Sequence, residues 1–248
     1  MKKLIYYILC NSITGFVISR LFSDRIPNIR YLEEKKRYYT DNKYVSNEIK
    51  AMIFFGFYEA AEARLIRCYM PSHLPVLEIG SSLGIISNLI LSKIDGEVKL
   101  TSIEANPFLL ETIESNTQYN DNKLIINKAI TYTECGEVLF RISTNNTEGS
   151  LVNLNDNVST GVIKVSTATI SQFISSSYVL VSDIEGSEID FLLNDENAMR
   201  LCSHLFIELH ETNYNGLQYS VNDLSNLILN KYDFTLIARD GNVFYYRK

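Results

Sequence analysis

Between Val76 and Tyr246 the chain alternates short apolar runs with longer helix-patterned segments, and this alternation leaves few folds open. The runs Val76–Ile79, Lys99–Glu104, Lys123–Asn127, Tyr178–Asp183, Leu205–Glu208, Phe234–Arg239 and Val243–Tyr246 carry the residues of buried strands. Helices are predicted over Ser82–Ser92, Pro107–Tyr119, Thr169–Ser175, Ser187–Leu193 and Val221–Tyr232. Strands separated by helices build right-handed βαβ units, and these make a doubly wound, mostly parallel Rossmann-like α/β sheet. A sheet of that kind binds its ligand outside the carboxyl ends of its strands. Two further extended stretches, Glu137–Ser143 and Val162–Ser166, interrupt the alternation, and Arg239-Asp240-Gly241-Asn242 turns the last two strands into an antiparallel hairpin.

A length of 248 residues suits one such domain with an extension, and 46% hydrophobic residues supply its core. The net charge of -6, with no basic stripe interleaved with aromatics beyond the N-terminus, argues against a nucleic-acid partner. Cys10, Cys68, Cys135 and Cys202 lie far apart, which excludes a C-x-x-C metal site and argues for a reducing, cytoplasmic setting. Asn145-Asn146-Thr147 and Asn157-Val158-Ser159 match the glycosylation acceptor pattern, which means little in so Asn-rich a chain.

Pro71 and Pro75 divide an N-terminal helical extension, residues 1–70, from a core domain, residues 71–248. Asn47 to Met70 reads as one long amphipathic helix. Ahead of it, the apolar run Leu4 to Ile18 is too short for the roughly 20 residues that span a bilayer. As a helix it would gather Ile5, Ile8, Leu9, Ile13, Phe16, Val17 and Leu21 on one broad face. The favoured occupant of that face is the chain's own domain or a partner subunit in a homo-oligomer; a membrane surface ranks second.

The first strand ends in Glu78-Ile79-Gly80-Ser81-Ser82-Leu83-Gly84, a turn whose glycines allow close backbone approach and whose helix presents free N–H groups. It is neither a P-loop nor the G-x-G-x-x-G dinucleotide fingerprint. Glu78 is an odd neighbour for a phosphate, whereas an amine and a sulfonium would suit it. Glu104 follows Gly80 by 24 residues at the end of the next strand, near the spacing of an acidic residue that bonds both ribose hydroxyls. Asn106 and Pro107 then cap and open the following helix. Together these features point to S-adenosylmethionine as the cofactor.

Asp183-Ile184-Glu185-Gly186-Ser187-Glu188 places three carboxylates where a strand gives way to a helix. Glu185 and Glu188 are accounted for by the preference of a helix N-terminus for negative charge. Asp183 stands where a reacting group would sit. Glu208 and His210 emerge together at the same sheet edge by the two-residue period, which makes His210 a candidate base. A divalent ion such as Mg²⁺, held by Asp183 and Glu208 with His210 nearby, is the alternative and ranks below the base.

In E-I-G-S-S-L-G, S-I-E-A-N-P, N-K-A-I, D-I-E-G-S-E and F-I-E-L-H-E, in that order, the chain resembles the FkbM family of methyltransferases over about residues 44–248. The family usually has D-x-G-A-N-x-G in the first motif, where this chain has Glu78, Ser81 and Ser82, and a Lys before the Asp block, where it has Val181-Ser182. The resemblance implies a class I methyltransferase fold and O-methylation of a hydroxyl, on a carbohydrate or glycan precursor of polysaccharide biosynthesis. It further implies cofactor contacts from Glu78, Gly80, Ser81, Ser82, Gly84, Glu104, Ala105 and Ala129, and catalytic roles for Asp183, Glu185 and His210. A lipid or small secondary metabolite is the alternative acceptor. A catalytically silent fold that binds a partner through its N-terminal helices is the alternative to an enzyme.

Overall fold

The computed structural model describes residues 2–34, 36–132, 136–142, 150–151 and 161–248. Helices α1 (Lys2–Leu9) and α2 (Ser12–Phe22) lead to an antiparallel pair, β1 (Arg25–Pro27) with β2 (Arg37–Tyr39), and then to α3 (Asn47–Phe55) and α4 (Ala60–Tyr69). Strand β3 (Val76–Ile79), α5 (Ile85–Leu91), β4 (Leu100–Glu104), α6 (Leu110–Thr117) and β5 (Lys123–Asn127) form the first half of the core. Strands β6 (Ala129–Ile130), β7 (Glu137–Arg141), β8 (Ser150–Leu151) and β9 (Val162–Ala168) make a separate sheet in the order β6-β9-β7-β8. The second half runs β10 (Tyr178–Ser182), α7 (Glu188–Asn194), α8 (Glu196–Leu201), β11 (Cys202–Glu208), β12 (Thr212–Tyr214), β13 (Leu217–Tyr219), α9 (Val221–Lys231), β14 (Thr235–Asp240) and β15 (Val243–Arg247).

The main sheet has seven strands in the order β14-β15-β11-β10-β3-β4-β5. Its inner pairs are parallel, and β15 runs antiparallel to both β11 and β14, as the predicted hairpin requires. From β3 the chain first moves outward to β4 and β5, then returns to place β10 on the other side of β3. That reversal opens a crevice beyond the carboxyl ends of β3 and β10. The two-residue period sorts the core onto two faces: Val76, Val179 and Val181 pack with Ile86 and Ile90 of α5, while Leu77, Ile79 and Leu180 pack with Ile189 of α7 and Leu224 of α9. A third cluster joins Ile18, Ile49 and Ile53 of the N-terminal helices to Leu83 and Ile113, so the first 70 residues share a core with the turn after β3.

Several expected elements differ. Asn47 to Met70 is two helices, because Gly56 takes a left-handed φ of 68° and ends α3. Leu4 to Ile18 is also broken, at Asn11, whose side chain caps α2 by accepting from the Thr14 N–H. Thr169–Ser175 holds only a short 3-10 turn at Ile170–Gln172. Helix α8 is additional, with Asp195 as its N-cap accepting from the Ala198 N–H. So is the β12–β13 hairpin, which turns on Asn215-Gly216, both at positive φ. Asn-Gly is the strongest short signal for such a turn and was legible in the sequence.

The apolar face of α1 and α2 does not dock on its own domain. Ile5, Ile8, Ile13, Phe16, Val17 and Leu21 are exposed, and α2 instead packs through Gly15 and Ile18. Among the described residues no helix is long and apolar enough to cross a membrane. Cys10, Cys68 and Cys202 are free thiols. Cys135, Ser143 and the two glycosylation-pattern sites lie outside the described residues.

Candidate active site

A cavity of about 300 Å³ opens at the crevice between β3 and β10. Its floor is the turn after β3, held against β10 by the Asp183 N–H donating to the Ile79 carbonyl at 3.1 Å. Gly80 has φ +85°, and a Cβ there would drive into the Asp183 carbonyl oxygen. The glycine therefore lets two strand ends close on each other, not only a ligand on the backbone.

Glu104 ends β4 and faces the cavity. Its Oε2 accepts from the Ser82 N–H at 2.8 Å and its Oε1 from the Asn106 N–H at 2.7 Å. A carboxylate offers about four lone-pair directions, so two remain for a ligand. Burial pushes the Glu104 carboxyl up to about 7, against the pull of those backbone hydrogen bonds. Asn127 steadies the neighbouring backbone by donating to the carbonyls of Glu104 and Ala105.

Of the other residues expected at the cofactor, Gly80, Ser82, Ala105 and Ala129 line the cavity. Three sit elsewhere. Glu78 points to the α5 face, where its Oε2 accepts from Ser87 and Ser102 hydroxyls, both at 2.6 Å. Even alternation along β3 puts it there, and burial raises its carboxyl despite those donors. Ser81 is buried beneath the turn, its hydroxyl directed to the Ile103 carbonyl. Gly84 starts α5 at φ +73°, where a Cβ would press on Ile113. These three shape the turn.

Asp183, Glu185, Glu208 and His210, at or just beyond the carboxyl ends of β10 and β11, all line the cavity. His210 Nε2 is 3.4 Å from Glu185 Oε2 and 4.0 Å from Asp183 Oδ1, and its Nδ1 is 3.3 Å from Glu188 Oε1. Glu188 is not solvated helix charge: it is fully buried and also accepts from the Ile184 N–H. Burial opposes a charged His210 ring, but the hydrogen bond and charge of Glu188, joined by Asp183 and Glu185, win and hold it up at about 9. Burial first, then Glu208 and Glu185, lift the Asp183 carboxyl well above its usual range.

Held up at about 9 by the surrounding carboxyls, the His210 ring favours its charged form and suits a counter-charge better than a base. Asp183, with its carboxyl lifted above the usual range, is the stronger proton acceptor of the two once it is ionised. Among the described residues, Asp183, Glu188 and His210 could also gather on a cation, with ligand atoms all within 4.8 Å. Glu208, the expected metal partner of Asp183, is not in that set.

The sequence did not single out Tyr58, Glu59 or Lys128, which line the same cavity. Tyr58 pairs with the Ser82 hydroxyl at 2.9 Å. Glu59 has a left-handed φ of 48°, and its buried Oε2 has no hydrogen-bond partner. Gly56 was the available signal that helical pattern fails there and that this segment turns inward.

The raised groups set the sign of the pH dependence of folding. Glu59, Glu104, Asp183 and Glu208 hold protons in the folded state that the unfolded chain has already released. Stability therefore falls as pH rises above the ordinary carboxyl range, and His210 extends the fall through about 9. Thermal melts of the ligand-free protein are expected to show a midpoint that declines from pH 5 towards 9; a flat profile would contradict the buried charges described.

Comparison with known proteins follows the same lines. A family model described as the methyltransferase FkbM domain matches residues 78–236. Among curated proteins no sequence matches. Solved structures similar to the chain include the N-methyltransferase NodS from Bradyrhizobium japonicum, at 10% identity over 75% of this chain and 93% of that one, TM-score 0.43. A S-adenosylmethionine-dependent methyltransferase from Aquifex aeolicus is similar at 13% identity over 76% and 90% of the two chains, TM-score 0.41.

Proposed function

The chain belongs to the FkbM methyltransferase family, and from that premise we propose that it transfers a methyl group from S-adenosylmethionine to a hydroxyl of a carbohydrate or glycan precursor. The observation that carries this reading is the pairing of Glu104 and Asp183 on one cavity at the point where the strand order reverses. Glu104 has acceptor directions left for ribose hydroxyls, and the acidic wall suits an ammonium and a sulfonium. Gly80, Ser82, Ala105 and Ala129 would complete the cradle. When bound, S-adenosylmethionine supplies an electrophilic methyl on a positively charged sulfur.

The work of the chain's own residues is alignment and proton removal. Asp183 would accept the proton of the acceptor hydroxyl while the methyl passes from sulfur to that oxygen, the methyl–sulfur bond breaking to leave a neutral thioether. His210, held by Glu188, keeps the Asp183 and Glu185 carboxylates positioned and screens them from each other. A lipid-borne acceptor is the second reading. It draws support from Met52, which lines the cavity while accepting from the Tyr6 hydroxyl of α1, beside the exposed apolar face.

Titration calorimetry with S-adenosylmethionine tests the cofactor. Glu104→Ala is expected to weaken binding by about 1.5 to 3 kcal/mol, the scale of hydrogen bonds to a charged group. Affinity of the unaltered protein should rise as pH passes up through about 7, because protonating Glu104 removes acceptors. Equal affinity in Glu104→Ala would overturn the assignment. Labelled methyl transfer to a hydroxyl panel of sugar nucleotides and glycan fragments tests the acceptor, with an alkali-stable methyl ether as the expected product.

A further inference from the structure

Helix α2 is apolar on two opposite faces. Gly15 and Ile18 turn inward, with Gly15 so close to Asn47 of α3 that a Cβ there would overlap its backbone. Ile13, Phe16, Val17 and Leu21 lie on the other side, at the spacing of one helix face. Their exposures are 79%, 49%, 50% and 71%, and Ile8 of α1 adds another at 61%. Isolated surface apolar residues need no explanation, but a continuous stripe does.

Charge identifies the occupant. Residues 1–50 hold ten lysines and arginines against five acidic residues, in a chain whose net charge is -6. One of them, Arg20, sits over the Phe16 ring at 5.2 Å, at the edge of the stripe. A second copy of the chain would bring the same positive segment against itself, which a two-fold contact disfavours. An apolar stripe within a basic segment has instead the two components of interfacial membrane binding, acyl-chain burial and attraction to anionic headgroups. We propose that α1 and α2 seat the protein on an anionic lipid surface. The seat is independent of which acceptor the cavity takes.

Co-sedimentation of the full chain tests it, using phosphatidylcholine vesicles with and without phosphatidylglycerol. The protein is expected to pellet with the anionic vesicles only, and less as salt rises. The double substitution Ile13→Glu with Val17→Glu changes two exposed side chains, so its melting temperature should be unchanged. It should lower partitioning roughly tenfold or more, since it puts charge where apolar groups enter the interface. No pelleting with anionic vesicles, or equal pelleting of the variant, overturns the proposal. So does a dimer that the substitution dissociates without any vesicle binding, which would assign the face to a second copy.

Discussion

Asp183→Asn is expected to lower kcat roughly 10²- to 10⁴-fold, the range of a positioned proton acceptor, a larger effect than the loss of one cavity carboxyl has on cofactor affinity. The substitution keeps the shape of a side chain whose Oδ1 is buried without a hydrogen-bond partner, and removes its basicity. The pH profile separates the roles. With Asp183 as base and His210 as a charged anchor, the rate rises on the acid side as Asp183 ionises and falls above about 9 as His210 loses its proton. A His210 base would instead give a rate that climbs up to about 9 and stays high. A cation on Asp183, Glu188 and His210 predicts a third outcome, loss of activity in chelator and its return with Mg²⁺. Near-normal turnover by Asp183→Asn would remove Asp183 from the chemistry altogether.

Gly80→Ala is expected to cost about 3 kcal/mol of stability and to abolish cofactor binding. Two penalties coincide: a left-handed φ of +85° and a methyl driven into the Asp183 carbonyl. Relief requires β3 and β10 to part at their carboxyl ends, which moves Asp183 away from the cavity. The loss of binding should therefore accompany a lower denaturation midpoint. A variant with the original melting temperature and intact binding would mean that the turn accommodates a side chain, contrary to the packing described.

The sheet was legible because each strand of its core is a short apolar run bounded by a helix or a turn. The site was legible where it follows from position along the chain: Asp183, Glu208 and His210 stand at or just beyond the carboxyl ends of strands and therefore reach the crevice. Glu78 misled because it lies one residue from the turn; only the alternation along β3 tells that its side chain leaves by the other face. Glu188 fits the ordinary preference for acid in a first helical turn, and its burial under His210 depends on β11 arriving alongside. Gly56 signals that the helix breaks before Glu59, but not the left-handed backbone that turns Glu59 itself inward. The outward face of α2 is the reverse case. Its periodicity was plain, and the sequence could not say that Gly15 had given the inward face to α3.

Glu59, Glu104, Asp183, Glu185 and Glu208 share one cavity with only Lys128 and His210 as cationic side chains among the described lining residues. On the proposed reading this imbalance drives the turnover cycle as well as recognition. Glu59, Glu104, Asp183 and Glu208, whose carboxyls are held above their usual range, would ionise more readily beside a sulfonium, so loading the donor should release protons to solvent. After transfer the sulfur would be a neutral thioether, the carboxyls would keep the ammonium but lose the sulfonium charge, and protons would return as the spent compound departs. The cavity thus favours the fresh molecule over the used one by charge alone, and product inhibition should weaken as pH rises relative to donor binding.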